Sequence, residues 1–133
     1  MDEIDWETFS LGEGPNWRRI CRVDPMIQAF LDCDSSVLEV RRDYAQKAWN
    51  KPGNSADLLR MIPIVVAFGA AFEDKPLHLI FFYEDRNITG RFVKVAIKTD
   101  APRRRLLFLT IHRAYPDDYA RKLKRSRLVR AHK

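Results

Sequence analysis

Apolar and polar residues alternate along two stretches near the end of the chain, 92–98 and 106–112. Such a period of two is typical of a strand with one buried face. In FVKVAIK the predicted buried face is Val93, Val95 and Ile97, and in LLFLTIH it is Leu107, Leu109 and Ile111. The opposite face would carry Lys94, Ala96 and Lys98 on the first strand and Phe108, Thr110 and His112 on the second. The loop Thr99–Arg103 is too long for a two-residue turn, and we expect it to join the strands into an antiparallel hairpin.

The pairing of these two strands follows from the position of the loop. With the loop centred on its proline, Lys94 is predicted to lie opposite Thr110, with His112 one cross-strand step away on the same face. Lys98 is then expected near Leu106, roughly 13 Å from Thr110 at ~3.3 Å per residue. A cation, a hydroxyl and a titratable ring on one open sheet face are groups that can act on a phosphate.

Helix and strand signals fill the chain before this hairpin. Helices are predicted over residues 25–31, 42–50 and 55–62, and strands over 37–40 and 77–83. Asp24 is the predicted N-cap of the first helix, with Pro25 in its first turn. Pro63 is expected to bend or break the third helix around Ile62, after which residues 64–68 form one more helical turn or, less favoured, a strand.

The two ends of the chain differ in character. Residues 1–20 mix acids, aromatics and glycine, and are expected to be irregular and docked through Trp6, Phe9 or Trp17. Asp117 is the predicted cap of a last helix, and the segment 121–133 carries seven Lys and Arg and no acid. This basic tail would either grip phosphate or fray.

The order of elements predicts an α+β fold, with N-terminal helices packed on one side of a small antiparallel β-sheet and a basic C-terminal helix. A length of 133 residues is typical of one domain. Within it we distinguish a lead-in, residues 1–36, and a core, residues 37–133.

Charge is distributed unevenly along the chain. Residues 1–90 carry 10 Lys and Arg against 15 Asp and Glu, whereas residues 91–133 carry 14 against 3. A basic end of this kind favours a polyanionic partner, nucleic acid before membrane. A solvated basic face is the alternative.

Several function classes lack a sequence signal. The two cysteines, Cys21 and Cys33, are expected to be buried thiols, and no other spacing suggests a metal site, so neither metal nor other cofactor is expected. No apolar run approaches the roughly 18–20 residues of a membrane span, and the first residues are acidic. No transmembrane helix, secretory signal or membrane partner is therefore expected.

Four strings between Val37 and Arg130 resemble the phage-type branch of the barnase, EndoU, colicin and RelE-like (BECR) nuclease superfamily. They are VLEVRRDYAQKAWNKP, SADLLRMIP, FVKVAIK and LLFLTIHR, the last followed by a basic helix. LLFLTIHR is the most specific, because the family typically has an apolar strand that ends in a hydroxyl residue, an aliphatic or aromatic residue, His and Arg. One position departs from the pattern: the family usually has a histidine just before the proline that closes the first helix, and this chain has Lys51.

The resemblance implies a metal-independent endoribonuclease, a toxin or phage-associated effector. Its substrate would be RNA, with tRNA among the candidates, and an acidic immunity protein or the protein's context would hold it inactive. Its site of action would be the cytoplasm, after delivery from another cell or a phage particle.

The resemblance also implies a set of site residues. The catalytic candidates are His112, Thr110, Lys51 and Arg113, and the substrate-binding candidates are Lys94, Lys98, Lys47 and Arg121. His112 is the candidate general acid or base, because the unperturbed pKa of a histidine lies near neutrality. Strict alternation points Arg113 away from His112, so Arg113 joins the site only if the strand ends or bulges there.

Other functions stay open at this point. Lysine is a poor general base near neutral pH, so Lys51 in the histidine position is compatible with a catalytically inactive RNA-binding module on the same fold. The acidic first 90 residues would equally suit a protein-interaction module. In those cases His112 is a hydrogen-bonded strand residue, and Lys94 and Lys98 are solvated.

Overall fold

The computed structural model describes residues 1, 3–12, 14–87 and 91–133. Six helices are described: α1 Trp6–Ser10, α2 Pro25–Leu31, α3 Arg42–Asn50, α4 Ala56–Leu59, α5 Ile62–Phe68 and α6 Pro116–Arg125. Seven strands are described: β1 Trp17–Arg22, β2 Val37–Arg41, β3 Ala70–Glu73, β4 His78–Glu84, β5 Phe92–Thr99, β6 Leu106–Ala114 and β7 Leu128–Arg130. The predicted α+β class is confirmed.

The strands form one sheet in the order β1-β2-β6-β5-β4-β3-β7. Neighbours are antiparallel except for β2 and β6, which are parallel. The sheet is therefore mixed and larger than the small antiparallel sheet expected from the sequence. The difference arises because β1 and β7 fall in segments predicted to be irregular or tail, and β3 was not predicted.

The N-terminal helices pack on one face of the sheet, and the C-terminal helix α6 packs on the other. The main core contains Phe81, Val93 and Val95 from the sheet, together with buried residues of α2 to α5. The opposite face carries a smaller apolar cluster that includes Phe72, Phe82 and Phe92. Tyr119 of α6 packs on this second cluster, with its ring 4.8 Å from that of Phe92.

The helix ends follow their sequence signals in most cases. Asp24 caps α2 by accepting a hydrogen bond from the Ile27 amide at 2.9 Å, as predicted. Pro63 lies in the first turn of α5, so the predicted break is confirmed. The cap predicted for Asp117 is wrong: α6 begins one residue earlier, at Pro116, and Asp118 accepts from the Tyr115 amide at 3.0 Å.

A β-bulge in β6 changes which of its side chains are buried. Ala96 pairs with Thr110 and Ile97 with Phe108, so Leu109 is the extra residue. Phe108 is consequently buried, and Leu109 is only half-buried. The predicted core face is therefore wrong for Leu107 and Leu109, which are only half-buried. It is correct for Ile111, which follows the bulge and is buried.

The bulge and a longer loop also shift the register of the hairpin. Lys94 lies opposite His112, not opposite Thr110 as predicted. Lys98 pairs with Leu107, not with Leu106. The shifted register sets the cation and the imidazole opposite each other across the strands. Strand β6 continues to Ala114, two residues beyond its predicted end.

Much of the C-terminal segment is part of the fold. Strand β7 pairs with β3, and Arg130 is buried with its guanidinium 2.6 Å from the carboxylate of Asp24. The same guanidinium donates to the carbonyl oxygens of Val66 and Gly69 at 2.7 Å each. Residues 128–130 are therefore ordered by pairing and burial, and not frayed.

Two further observations concern the function classes considered from the sequence. Cys21 and Cys33 are free, as predicted; Cys33 is buried and Cys21 is half-buried. Within the described residues, no helix has both the length and the apolar character needed to cross a membrane.

Candidate functional site

The candidate site forms where β2 leaves β6. Strand β2 pairs with β6 only at Leu106 and Leu107, after which the chain turns into α3. A cavity of about 160 Å³ lies between α3 and β6. It is lined by residues 44, 47 and 48 on one face of α3, by residue 51 just after the helix, and by residues 109–111 of β6. The helix is placed beside the unpaired edge of β6 because its small residues Ala45 and Ala48 are buried against the core.

The loop after α3 is fastened to β6 by a side-chain amide. Nδ2 of Asn54 donates to the carbonyl oxygens of Ala48 at 2.9 Å and Ile111 at 3.2 Å. These two bonds join the end of the helix to the strand at the residue before His112. Lys51 lies inside the loop that they close.

Lys51 and His112 are in direct contact. Nζ of Lys51 lies 3.2 Å from Nδ1 of His112. An ammonium group can only donate, so Nδ1 accepts and the ring proton of the neutral imidazole lies on Nε2. Lys51 thus occupies one ring nitrogen, and Nε2–H is left as a donor.

Lys94 places a second cation beside the ring. It lies directly opposite His112 on β5, and cross-strand partners share a sheet face. Its ammonium group is 5.8 Å from the centre of the Phe82 ring. The half-buried imidazole is therefore flanked by Lys51 from the helix side and Lys94 from the sheet side.

These surroundings lower the pKa of His112 to about 4. Burial is the largest cause, because it penalises the charged imidazolium, and the positive charges of Lys51 and Lys94 add to it. The carboxylate of Asp118 in α6 opposes the shift. His112 is consequently neutral at neutral pH, and Lys51 and Lys94 place two positive charges beside it.

The other residues of the predicted site divide into two groups. Thr110 lies two residues before His112 on the same face, and it lines the cavity with Lys47 and Lys51. Lys98 lies on this face as well, in a smaller neighbouring cavity. The structure therefore brings His112, Thr110, Lys94 and Lys98 to one face of the sheet, and it places Lys51 and Lys47 beside the edge of β6.

Arg113 and Arg121 have other partners. Alternation continues through Arg113, since β6 ends only at Ala114, and this directs its side chain to the face opposite His112. There Arg113 forms an ion pair of 3.0 Å with the buried carboxylate of Asp85. Arg121 is exposed and pairs with Asp118.

The remaining histidines of the chain are held elsewhere. Nδ1 of His78 lies 2.9 Å from the carbonyl oxygen of Pro76. The ring of His132 stacks on Tyr83 at 5.4 Å, and its Nε2 accepts from the Glu84 amide. Of the chain's three histidines, His112 alone contacts Lys51.

Sequence reasoning did not find three residues that shape the site. The bonds of Asn54 to Ala48 and Ile111 depend on the tertiary fold and leave no local signal. Asp118, whose carboxylate opposes the lowered pKa of His112, is positioned by its cap of α6. Tyr44 could have been found from its spacing of three and seven residues from Lys47 and Lys51, which places all three on one helix face.

Within the described part of the chain, no group of three or more His, Cys, Asp and Glu side chains is arranged to hold a metal ion. Comparisons of this chain with protein-family models, with curated proteins and with solved structures give no match.

Proposed function

We propose that this protein is a metal-independent endoribonuclease that cleaves RNA by attack of a ribose 2'-hydroxyl, with His112 as the general acid and base. The observation that carries the proposal is the position of a neutral imidazole between two ammonium groups on an open sheet face. Such a site combines an imidazole, which can accept and return a proton, with cations that stabilise a phosphate.

The reaction needs one proton to be removed and one to be supplied. His112 takes the proton from the 2'-hydroxyl as its oxygen attacks phosphorus. The bond from phosphorus to the 5'-oxygen then breaks, and the imidazolium returns the proton to that oxygen. The products are a 2',3'-cyclic phosphate and a 5'-hydroxyl, and no further co-reactant is required.

The substrate itself prepares His112 for this role. A phosphate near Lys51 and Lys94 offsets the two positive charges that lower the pKa of the ring. It also competes for the ammonium group of Lys51, and the release of Lys51 frees Nδ1 to accept a proton. The imidazole therefore becomes a stronger base only when an RNA phosphate is bound.

Neighbouring side chains have supporting roles in this proposal. Thr110 would orient the nucleophile or donate to a phosphate oxygen from the same face as His112. Lys47 and Lys98 would bind adjacent phosphates, since Lys47 lines the cavity that contains Lys51 and Lys98 lines the adjoining one. Arg113, with its Asp85 partner, would act through the stability of β6, and Arg121 would contact RNA outside the site.

Incubation of the purified protein with total RNA in the presence of EDTA tests the proposal. The wild-type protein is expected to produce fragments, and His112→Gln is expected to lose at least about 100-fold in rate. His78→Gln is the matched control, because it removes a histidine near the start of β4 that does not contact Lys51. Equal cleavage by His112→Gln and wild type would contradict the proposed role.

A second candidate function is RNA binding without cleavage. It is supported by the lowered pKa of His112, which makes the free ring a weak base, and by the lysine that occupies the family's histidine position. Salt-dependent binding of RNA with no products, even after long incubation, would favour this function over the first.

The biological context implied by the resemblance is also a proposal. A toxin or phage-associated effector would need an inhibitor, and an acidic immunity protein could cover the same lysines that bind RNA. Such a partner is expected to compete with RNA for Lys51, Lys94 and Lys98. A complex that survives substitution of all three lysines would point to a different surface.

A further inference from the structure

Two cavities beside β6 share one lining residue, Tyr44. The larger, of about 160 Å³, is lined by Tyr44, Lys47, Lys51 and Thr110 among others. The smaller, of about 80 Å³, includes Trp17, Arg41, Tyr44 and Lys98 in its lining. Tyr44 lines both cavities, so they adjoin, and we name the two together the Tyr44 groove; its lining includes Lys51 in one cavity and Trp17 in the other.

Aromatic rings and cations alternate along the Tyr44 groove. The guanidinium of Arg105 lies 4.3 Å from the centre of the Trp17 ring. Arg41 and Lys47 lie 5.3 Å and 5.0 Å from the centre of the Tyr44 ring. Both rings are half-buried, so each keeps a face or an edge open to the solvent.

The charge of the groove is positive. Its carboxylates are already engaged: Asp43 holds Arg41 at 2.6 Å and 2.7 Å, and Glu39 lies 3.9 Å from Arg105. Among the described residues, no carboxylate lies within ion-pair distance of Lys47, Lys51 or Lys98. A ligand of the groove should therefore be an anion that also presents flat rings.

We propose that the Tyr44 groove binds single-stranded RNA next to the cleaved phosphate, with one base against Tyr44 and a further base against Trp17. The proposal rests on the proposed function, which places the reacting phosphate at His112. Bases stack on aromatic side chains in proteins that bind single strands, and lysines and arginines track the backbone. Single strands are required, because the bases of a duplex are stacked on each other and cannot reach the two rings.

The dimensions of the groove agree with a short run of nucleotides. The β5 partners of Leu107 and His112 are Lys98 and Lys94, which lie four residues apart, roughly 13 Å at ~3.3 Å per residue. Tyr44 lines both cavities, and Trp17 lies farther from β6, on β1, where it pairs with Arg41 of β2. Affinity should therefore grow as an oligonucleotide is lengthened past the dinucleotide that fills the His112 site.

Binding of a 2'-O-methyl hexanucleotide, which cannot be cleaved by 2'-hydroxyl attack, tests the groove by fluorescence anisotropy. Tyr44→Leu and Trp17→Leu are each expected to weaken binding about tenfold, as loss of one stacked base predicts. Tyr44→Trp keeps a ring and should bind within a few-fold of wild type. Phe68→Leu is the control, because it removes an exposed ring on α5 that does not line the groove.

Wild-type protein alone provides a second measurement that does not depend on the folding of any variant. The hexanucleotide is expected to bind at least about tenfold more tightly than a dinucleotide, and more tightly than a duplex of equal length. Equal affinity for dinucleotide and hexanucleotide, or equal affinity of Tyr44→Leu and wild type, would contradict the binding of single-stranded RNA in the groove. A higher affinity for the duplex than for the single strand would contradict it as well.

Product formation on a cleavable hexanucleotide separates this inference from the ribonuclease proposal. If binding depends on oligonucleotide length and on Tyr44 but no product forms, RNA binding in the groove is supported and ribonuclease activity is contradicted. Cleavage by His112 with no effect of Tyr44 or Trp17 would retain the activity and reject the groove.

Discussion

Lys51 donates to Nδ1 of His112 over 3.2 Å, although 61 residues separate them in sequence. Neither position alone indicates this contact, because Lys51 follows a helix and His112 is an interior residue of a strand. The contact arises because β2 pairs with β6 for only two residues and then gives way to α3. Through this contact, the positive charge of Lys51 contributes to the lowered pKa of His112.

Removal of Lys51 should raise the pKa of His112. In Lys51→Met the pKa is expected to rise from about 4 but to stay below the ordinary value near 6.5, because burial and Lys94 remain. NMR titration of the imidazole, assigned by comparison with His112→Gln, measures the change. Lys47→Met is the matched control from the same cavity, and it should leave the titration nearly unchanged. An unaltered pKa in Lys51→Met would show that the contact does not influence protonation.

RNA binding should strengthen as the pH falls. The pKa of His112 is about 4 in the free protein, and a bound phosphate raises it. At a pH between the pKa of the free protein and the higher pKa of the complex, His112 is protonated in the complex but not in the free protein. Binding then takes up a proton, so lower pH favours the complex. Affinity for the uncleavable hexanucleotide is expected to increase from pH 7 toward pH 5 in wild type, and less so in His112→Gln. A pH dependence shared equally by both proteins would assign it to another group.

Lys94 and Arg113 should differ in what they contribute. Lys94→Gln removes a cation beside His112 and is expected to slow cleavage about 100-fold with little change in stability. Arg113→Gln leaves the buried carboxylate of Asp85 without its 3.0 Å partner, and is expected to lower the free energy of unfolding by about 1–3 kcal/mol. Its rate per folded molecule should remain within a few-fold of wild type. A large loss of rate in fully folded Arg113→Gln would restore Arg113 to the catalytic group.

Arg130 should be important for stability. Its substitution by alanine removes the arginine donor from Oδ2 of Asp24 and from two carbonyl oxygens, at a cost of about 3 kcal/mol. Chemical denaturation measures this difference. Arg125→Ala, which removes an exposed arginine from α6, is the control and should change the free energy of unfolding by less than about 0.5 kcal/mol. Similar values for the two variants would contradict a structural role for Arg130.

The sequence predicted those parts of the fold that depend on local signals. The helix 25–31 with its Asp24 cap, the break at Pro63 and the alternation of β5 are examples, since each is determined by neighbouring residues. The strands β1, β3 and β7 were not predicted, because they are short and stabilised by their pairing partners. Their existence depends on the sheet as a whole.

The candidate site was predicted in its residues more than in its geometry. Lys94, Thr110 and His112 do lie on one face of the sheet, with Lys51 beside the edge of β6, but the register that joins them depends on the bulge at Leu109. A single extra residue in a strand leaves no distinct signal in the local pattern, because Leu107, Leu109 and Ile111 alternate as a regular strand would. The position of Arg113 depends in turn on where β6 ends.

The most direct test of the account uses a DNA oligonucleotide that contains one ribonucleotide, incubated with the protein in EDTA and analysed by mass spectrometry. The account predicts one cut, on the 3' side of the ribonucleotide, a 2',3'-cyclic phosphate on the product, and loss of the cut in His112→Gln. No cut at the ribonucleotide, equal cutting of an all-DNA oligonucleotide, or equal activity of His112→Gln would contradict it.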